Sequence, residues 1–195
     1  IVVDVEASGT EAHKHSILSI GALDFRNPKN QFYIECRMWD GAHVMDEALG
    51  VNGFTREQII DPKKVTEAEA VQEFINWASA IEEQTLAGQN PSFDRDFLKA
   101  AAERAGVAWP YAHRTVDVHS VAYTHILKRG IPVPSKNKHS ALNLDSILEY
   151  VGVIGGEPKP HNALMGAKSA AESLSRLLYD EHLLDDFLGY KIPWT

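Results

Sequence analysis

Two carboxylates, Asp4 and Glu6, stand one residue apart at the end of the apolar run Ile1-Val2-Val3, which reads as a buried strand. Side chains two apart in a strand leave the same face, so both carboxylates project together. Like charges that close repel and lose hydration, and a hard divalent cation such as Mg²⁺ or Mn²⁺ relieves both because it takes oxygen ligands. Taken alone, an Asp-x-Glu pair at a strand end is more often simply solvated. Two further segments shift that balance. In Gly88-Gln89-Asn90-Pro91-Ser92-Phe93-Asp94-Arg95-Asp96-Phe97-Leu98, Asp94 falls near the start of a helix beside the apolar residues Phe97 and Leu98, whereas Asp96 lies on another face and reads as solvated. In His161-Asn162-Ala163-Leu164-Met165-Gly166-Ala167, the histidine sits where a flexible loop runs into the last helix. An imidazole titrating near neutrality is suited to take a proton from water there.

The elements that must position these residues follow from periodicity and punctuation. Residues 16–25 and 31–37 read as two antiparallel strands beside the first, separated by the turn signal Asn27-Pro28-Lys29-Asn30. Residues 66–83 carry Val71, Phe74, Ile75, Ala78 and Ile81 at helical spacing, with a capping box at Thr66-Glu67-Ala68-Glu69. A short strand at 85–88 precedes a helix over 91–105, with Asn90 as its N-cap, Pro91 at its first position and Gly106 beyond its end. A strand at 115–117 leads into a helix at 118–128, and a Pro-rich basic loop at 131–139 precedes a short helix at 144–151. The loop Gly155-Gly156-Glu157-Pro158-Lys159-Pro160 precedes a last helix whose apolar stripe is Leu164, Ala167, Ala171, Leu174 and Leu178. Three strands, then alternating helices and strands, imply an α/β fold with a mixed five-stranded sheet and helices on both faces.

The 195 residues, 44% apolar and 24% charged, suit one globular domain spanning 1–195. The lone Cys36 excludes a disulfide framework or cysteine zinc cluster and reads as core filling in a strand. No stretch approaches the length of a membrane span, and the first residues look like a core strand without a basic leader, so a cytoplasmic location is expected. The net charge of −8 argues mildly against a nucleic-acid binder, but it is also what a carboxylate-rich metal site produces, where cations meet phosphate. His13, Lys14 and His15 read as a solvated polar loop, with the lining of a substrate groove as the alternative. Lys136, Lys138 and Lys168 are candidate phosphate contacts.

Together, Asp4-Val5-Glu6-Ala7-Ser8-Gly9, the segment Gly88 to Leu98 and the segment His161 to Ala167 resemble the three ordered motifs of the DEDDh, or DnaQ-like, family of 3′-to-5′ exonucleases. Asp46 to Thr55 further resembles the segment after the third strand in ribonuclease T and in bacterial proofreading subunits. The resemblance covers nearly the whole chain and implies a ribonuclease H-like, three-layer α/β/α fold. It implies hydrolysis of terminal phosphodiesters of single-stranded DNA or RNA by two Mg²⁺ or Mn²⁺ ions. On that pattern Asp4 bridges the ions, Glu6 holds the first, Asp94 orients water on the second, and His161 deprotonates the attacking water. Ala7, Ser8 and Gly9 would bound the terminal nucleotide, with Asn90 and Phe93 beside it. The partner implied is a 3′ end, while a polymerase or a second copy stays open.

One position breaks the pattern. The family places its last metal ligand, an Asp, where this chain has Gly166. Gly costs about 1 kcal/mol relative to Ala in a helix, and Asp would be favoured in a first turn, so something other than helix stability selects it. Three explanations compete: an inactivated exonuclease, a non-catalytic nucleic-acid-binding module with the same fold, or an active enzyme using a substitute carboxylate. For the last, Glu157 is nearest in sequence, although its loop position favours a solvated role. Retention of Asp4, Glu6, Asp94 and His161 favours the enzyme, because buried unpaired carboxylates would serve a pure binder poorly.

Overall fold

The structure, a computed structural model, describes residues 1–157 and 159–195. In chain order the elements are β1 (Val2–Ala7), β2 (Ile17–Asp24), β3 (Asn27–Arg37), α1 (Asp46–Asn52), β4 (Val65–Thr66), α2 (Glu67–Ala78), β5 (Leu86–Gly88), α3 (Pro91–Ala105), β6 (Thr115–Asp117), α4 (Val118–Lys128), β7 (Ser135–Lys136), β8 (His139–Ser140), α5 (Leu144–Tyr150) and α6 (Ala163–Tyr179). The central sheet runs β4-β3-β2-β1-β5-β6, and β7 and β8 form a separate hairpin. β1, β2 and β3 are antiparallel, each to the next, whereas β1 to β5, β5 to β6 and β3 to β4 are parallel.

Strand alternation splits the core in two. Val3 and Val5 face α2 and α3, packing with Phe74, Phe97 and Leu98, while Val2 faces the other way into α4, α5 and α6. Asp4 and Glu6 share the Val2 face by the same alternation. This gives the expected three-layer sandwich with a mixed sheet.

The sheet has six strands rather than five. Val65–Thr66 pairs in parallel with Cys36 and Arg37, and two residues of strand leave no period-two signal to read. The expected turn at Asn27-Pro28-Lys29-Asn30 is instead the start of β3, with the chain reversing at Phe25-Arg26. The register jumps from the Leu23–Gln31 pair to the Asp24–Asn27 pair, so Pro28 lies in a bulge where its missing N–H breaks no ladder bond. α2 ends at Ala78 rather than near Glu83, although Ile81 still reaches the core from the following turn. The capping box at Thr66 and Glu69 is present. Leu178, expected on the buried stripe of α6, is 49% exposed. The middle of α6 is instead buried all round, Ser173, Ser175 and Arg176 included. No helix among the described residues is long and apolar enough to cross a membrane.

Candidate active site

The two strand neighbours of β1 set up the site. β5 pairs with β1 only at Val2 and Ala87 and ends at Gly88, so the second half of β1 has an open edge on that side. The Val5 N–H on that edge donates to Asp94 Oδ1 at 2.9 Å. An orphan strand amide is thus satisfied by a carboxylate brought in on the first turn of α3. Crevices at the carboxyl ends of strands, where neighbouring connections diverge, are the usual ligand sites of open α/β sheets. Asp94, 2% exposed, lies in this one.

α3 enters by way of Asn90, whose backbone is left-handed (φ 53°) and whose N–H donates to Asp117 Oδ1 at 3.1 Å. Contrary to expectation, the Asn90 side chain does not cap the helix. Its Oδ1 accepts from the Ser92 hydroxyl instead, because the left-handed turn swings it off the helix axis.

On the opposite side, the start of α6 presses on β2. A Cβ at Gly21 would collide with the Ala163 and Leu164 backbone, and Gly21 is the cross-strand partner of Asp4. Only a residue without a side chain allows this approach, which brings the first turn of α6 beside Asp4. Asn162 caps α6 by accepting from the N–H groups of Leu164 and Met165. Four residues on, the bare Cα of Gly166 faces the Asp4 carboxylate. A Cβ there would overlap Asp4 Oδ2 and lie 2.9 Å from its Cγ and 3.1 Å from Glu157 Oε1. This close approach is the physical reason for a helix-weakening glycine at the position.

Four carboxylates therefore converge: Asp4, Glu6, Asp94 and Glu157. Glu6 and Glu157 are each 8% exposed. The reading of Glu157 as solvated is corrected by this placement. Its backbone N–H donates to Asp145 Oδ1 at 2.8 Å, which ties the loop down against α5. Its Oε2 stands 3.7 Å from Nδ1 of the half-buried His161. Periodicity carries no signal for a loop residue. The available clue is a carboxylate four residues before the histidine.

The electrostatics match the geometry. Burial, then the charges of Asp94, Glu6 and Glu157, holds the Asp4 carboxyl well above the usual range. Burial, then Glu157 and Asp94, pushes Glu6 up to about 8. Burial raises Asp94 to about 7 against the pull of the Val5 hydrogen bond, and burial also raises Glu157, with His161 opposing. No Lys or Arg forms an ion pair with any of the four among the described residues. Buried carboxylates without a cationic partner are a donor set for a hard cation. Among the described residues no three His, Cys, Asp or Glu side chains form a closed coordination set.

The other candidate residues divide between structural and cleft-lining roles. Ser8 is wholly buried and committed to the fold: its N–H donates to Ser16 O, and its hydroxyl donates to His43 O while accepting from Ser16 N–H. Ala7 is buried as well, and Gly9 lies where any Cβ would strike the His15 ring. The segment Ala7 to Gly9 is therefore committed to the fold, with no hydroxyl offered to a nucleotide. His15, expected in solvent, is 4% exposed, and its Nδ1 accepts from the Glu11 N–H at 3.1 Å. Phe93 stacks on Phe97 at 4.7 Å and lines a cavity of about 570 Å³ with Thr10, His13, Lys14 and Asp96, so it is both a core flank and a wall of that cavity, whose lining includes none of the four carboxylates. Lys168 is not free for phosphate, since it pairs with Asp186. Lys136 and Lys138 lie exposed on the β7–β8 hairpin, and Cys36 is buried in β3.

Comparison with known proteins gives the family and the fold. The family model described as the 3′-5′ exoribonuclease Rv2179c-like domain matches residues 1–178. Ribonuclease T of Haemophilus influenzae is 26% identical over 168 residues, covering 73% of this chain and 72% of that protein. Escherichia coli ribonuclease T is 30% identical over 122 residues, 55% of each chain. Among solved structures, the nuclease domain of 3′hExo, a DEDDh family member bound to rAMP, aligns with a TM-score of 0.67 at 18% identity over 94% of this chain and 92% of that one. E. coli exonuclease I in complex with a dA13 oligonucleotide aligns at 0.66 and 17% identity, over 90% of this chain but only 39% of that protein, so the chain spans about two-fifths of it. At these identities the structural likeness establishes the fold alone. The family match spans nine-tenths of the chain and both core layers: the chain belongs to the 3′-5′ exoribonuclease Rv2179c-like domain family, within the DEDDh-type 3′-5′ exonucleases.

Proposed function

We propose that this chain hydrolyses the terminal phosphodiester at the 3′ end of a single-stranded nucleic acid, using Mg²⁺ or Mn²⁺ held by Asp4, Glu6 and Asp94. The observation that carries this is the convergence of the buried Glu6 and Asp94 with the half-buried Asp4, three carboxylates from β1 and α3 with no cationic partner among the described residues, beside His161. When bound, a pair of such ions supplies positive charge to the attacking and leaving oxygens.

The chain's own residues do the rest. Val5 N–H fixes one oxygen of Asp94 and so leaves the other to face the cleft. His161 turns Nδ1 toward Glu157, leaving Nε2 to take the proton of the attacking water. Its position at the loop-to-helix junction, with its N–H on Val51 O at 3.2 Å, places this base on a segment able to close over a substrate. Ala7, Ser8 and Gly9, with Asn90 and the ring of Phe93, bound the terminal nucleotide, and an aromatic face there suits stacking on a base. The exoribonuclease description of its family and ribonuclease T by name favour RNA as a substrate.

The test is incubation of single-stranded RNA and DNA, labelled at the 5′ end, with Mn²⁺ or Mg²⁺. The expected result is a ladder shortening from the 3′ end, abolished by chelation and by Asp4→Ala. Cleavage that survives both treatments overturns the assignment.

A further inference from the structure

Resting on that reading of the metal site, we infer that Glu157 is the fourth metal-binding carboxylate of this chain, delivered from the loop before α6 in place of a side chain on the helix at position 166. The two features are spatially reciprocal. Gly166 leaves a gap facing Asp4, and the atoms bordering that gap are Asp4 Oδ2 and Glu157 Oε1, the latter 3.1 Å from where a Cβ would stand. A carboxylate rooted at 166 would reach into the space that Glu157 already borders.

Several independent features show that the Glu157 side chain is built in. It is buried, and it has no hydrogen-bond donor among the described residues beyond the 3.7 Å approach of His161 Nδ1 to Oε2. Burying a carboxylate this way is unfavourable unless a cation compensates it. Its backbone is also anchored, since the Glu157 N–H is held by Asp145 Oδ1 at 2.8 Å. Gly156 makes that anchor possible: its φ is +68°, and a Cβ there would crowd the same Asp145 oxygen at 2.8 Å. The loop thus turns through a left-handed glycine, docks on the first turn of α5, and aims its carboxylate inward. One oxygen borders the Asp4 side of the cleft and the other faces His161, so the group can serve a cation and orient the base together.

The experiment is calorimetric titration of the full chain with Mn²⁺, comparing the unaltered protein with Glu157→Gln, Glu157→Asp, Asp4→Asn and His161→Ala. The inference expects Glu157→Gln to weaken Mn²⁺ binding at least tenfold or to remove one ion from the stoichiometry, with Glu157→Asp between it and the unaltered chain. His161→Ala should bind Mn²⁺ within about twofold of the unaltered chain, which separates a ligand role from service to the histidine alone. Ion-free Glu157→Gln should also unfold at a higher temperature than the unaltered chain, because one repelling buried charge is gone. Glu157→Gln that binds Mn²⁺ as tightly as the unaltered chain, while Asp4→Asn does not, overturns the inference and leaves the metal site standing. An unaltered chain that binds no Mn²⁺ overturns both.

Discussion

Replacing Gly166 by alanine sets two effects of known size against each other. In an exposed helix interior the change would stabilise by about 1 kcal/mol. Here the new Cβ overlaps Asp4 Oδ2 and comes within 2.9 Å of Asp4 Cγ, and forced overpacking of this kind costs about 1–3 kcal/mol. In the ion-free protein, Asp4 can relieve the contact by rotating its short side chain, at about 0.5–1.5 kcal/mol for a poor rotamer. The two terms then nearly cancel, and ion-free stability should move by less than about 1 kcal/mol. With the cation bound, Asp4 cannot rotate away and remain a ligand, so the overlap falls on the bound state. Mn²⁺ affinity should drop at least about tenfold, since about 1.4 kcal/mol is a factor of ten, and exonuclease rate should fall with it. Gly50→Ala is the internal control: it lies in α1 with no atom within 4 Å of a new Cβ, and it should gain helix stability with no change in Mn²⁺ binding. The assays are thermal unfolding in chelator, Mn²⁺ titration, and turnover on a labelled strand. If Gly166→Ala binds Mn²⁺ as tightly and cuts as fast as the unaltered chain, the gap at 166 is not part of the metal site. The same geometry argues against Gly166→Asp as a simple repair, because its Cβ meets the same oxygens.

The site also sets a pH dependence. Glu6 is pushed up to about 8 and Asp94 to about 7, chiefly by burial. Between the ordinary carboxylate range and those values the folded chain holds more protons than the unfolded one, so ion-free stability is fullest at low pH and is lost as pH rises through the raised values. The loss is at most about 1.4 kcal/mol per pH unit for each proton. Unfolding in chelator should therefore occur at falling temperature from about pH 6 to about pH 8, and Mn²⁺ should reverse the trend while releasing protons. A flat or rising profile in chelator would contradict it. Far from the cleft, Arg176 is wholly buried, bonded to Glu172 Oε1 at 2.7 Å and to the carbonyls of Val151, Phe187 and Tyr190. Arg176→Ala leaves Glu172 charged and buried, and it should cost about 3–5 kcal/mol by denaturant titration. A loss below about 1 kcal/mol would mean that the remaining partners of Glu172, the Leu183 and Leu184 N–H groups and His182, suffice to compensate its charge.

The chemistry of the site was legible in the sequence wherever it was carried by local order. Asp4 and Glu6 share a face because a strand alternates, Asp94 lies in the first turn after Asn90-Pro91, and His161 precedes the capping residue of α6. Those facts depend on backbone geometry a few residues long. α3 and α4 also run between the expected residues, because Pro91 and Gly106 mark the ends of α3 locally and Asp117 caps the start of α4. What local order does not carry is how segments distant in the chain meet. The strand β4 exists only because β3 offers it an edge, and the bulge that admits Pro28 is a property of the β2–β3 register. The same holds for Glu157 and Gly166. Nothing in a Gly-Gly-Glu-Pro loop distinguishes a solvated carboxylate from a buried one until α5 supplies Asp145 to anchor it. Nor does a glycine in a first helical turn look purposeful until Gly21 lets α6 lie against β2, opposite Asp4. Local sequence supplied the types and faces of Asp4, Glu6 and Asp94, while the packing of α5 and α6 on the sheet decided which carboxylates share the cleft, because close approach between distant segments is a property of the assembled core.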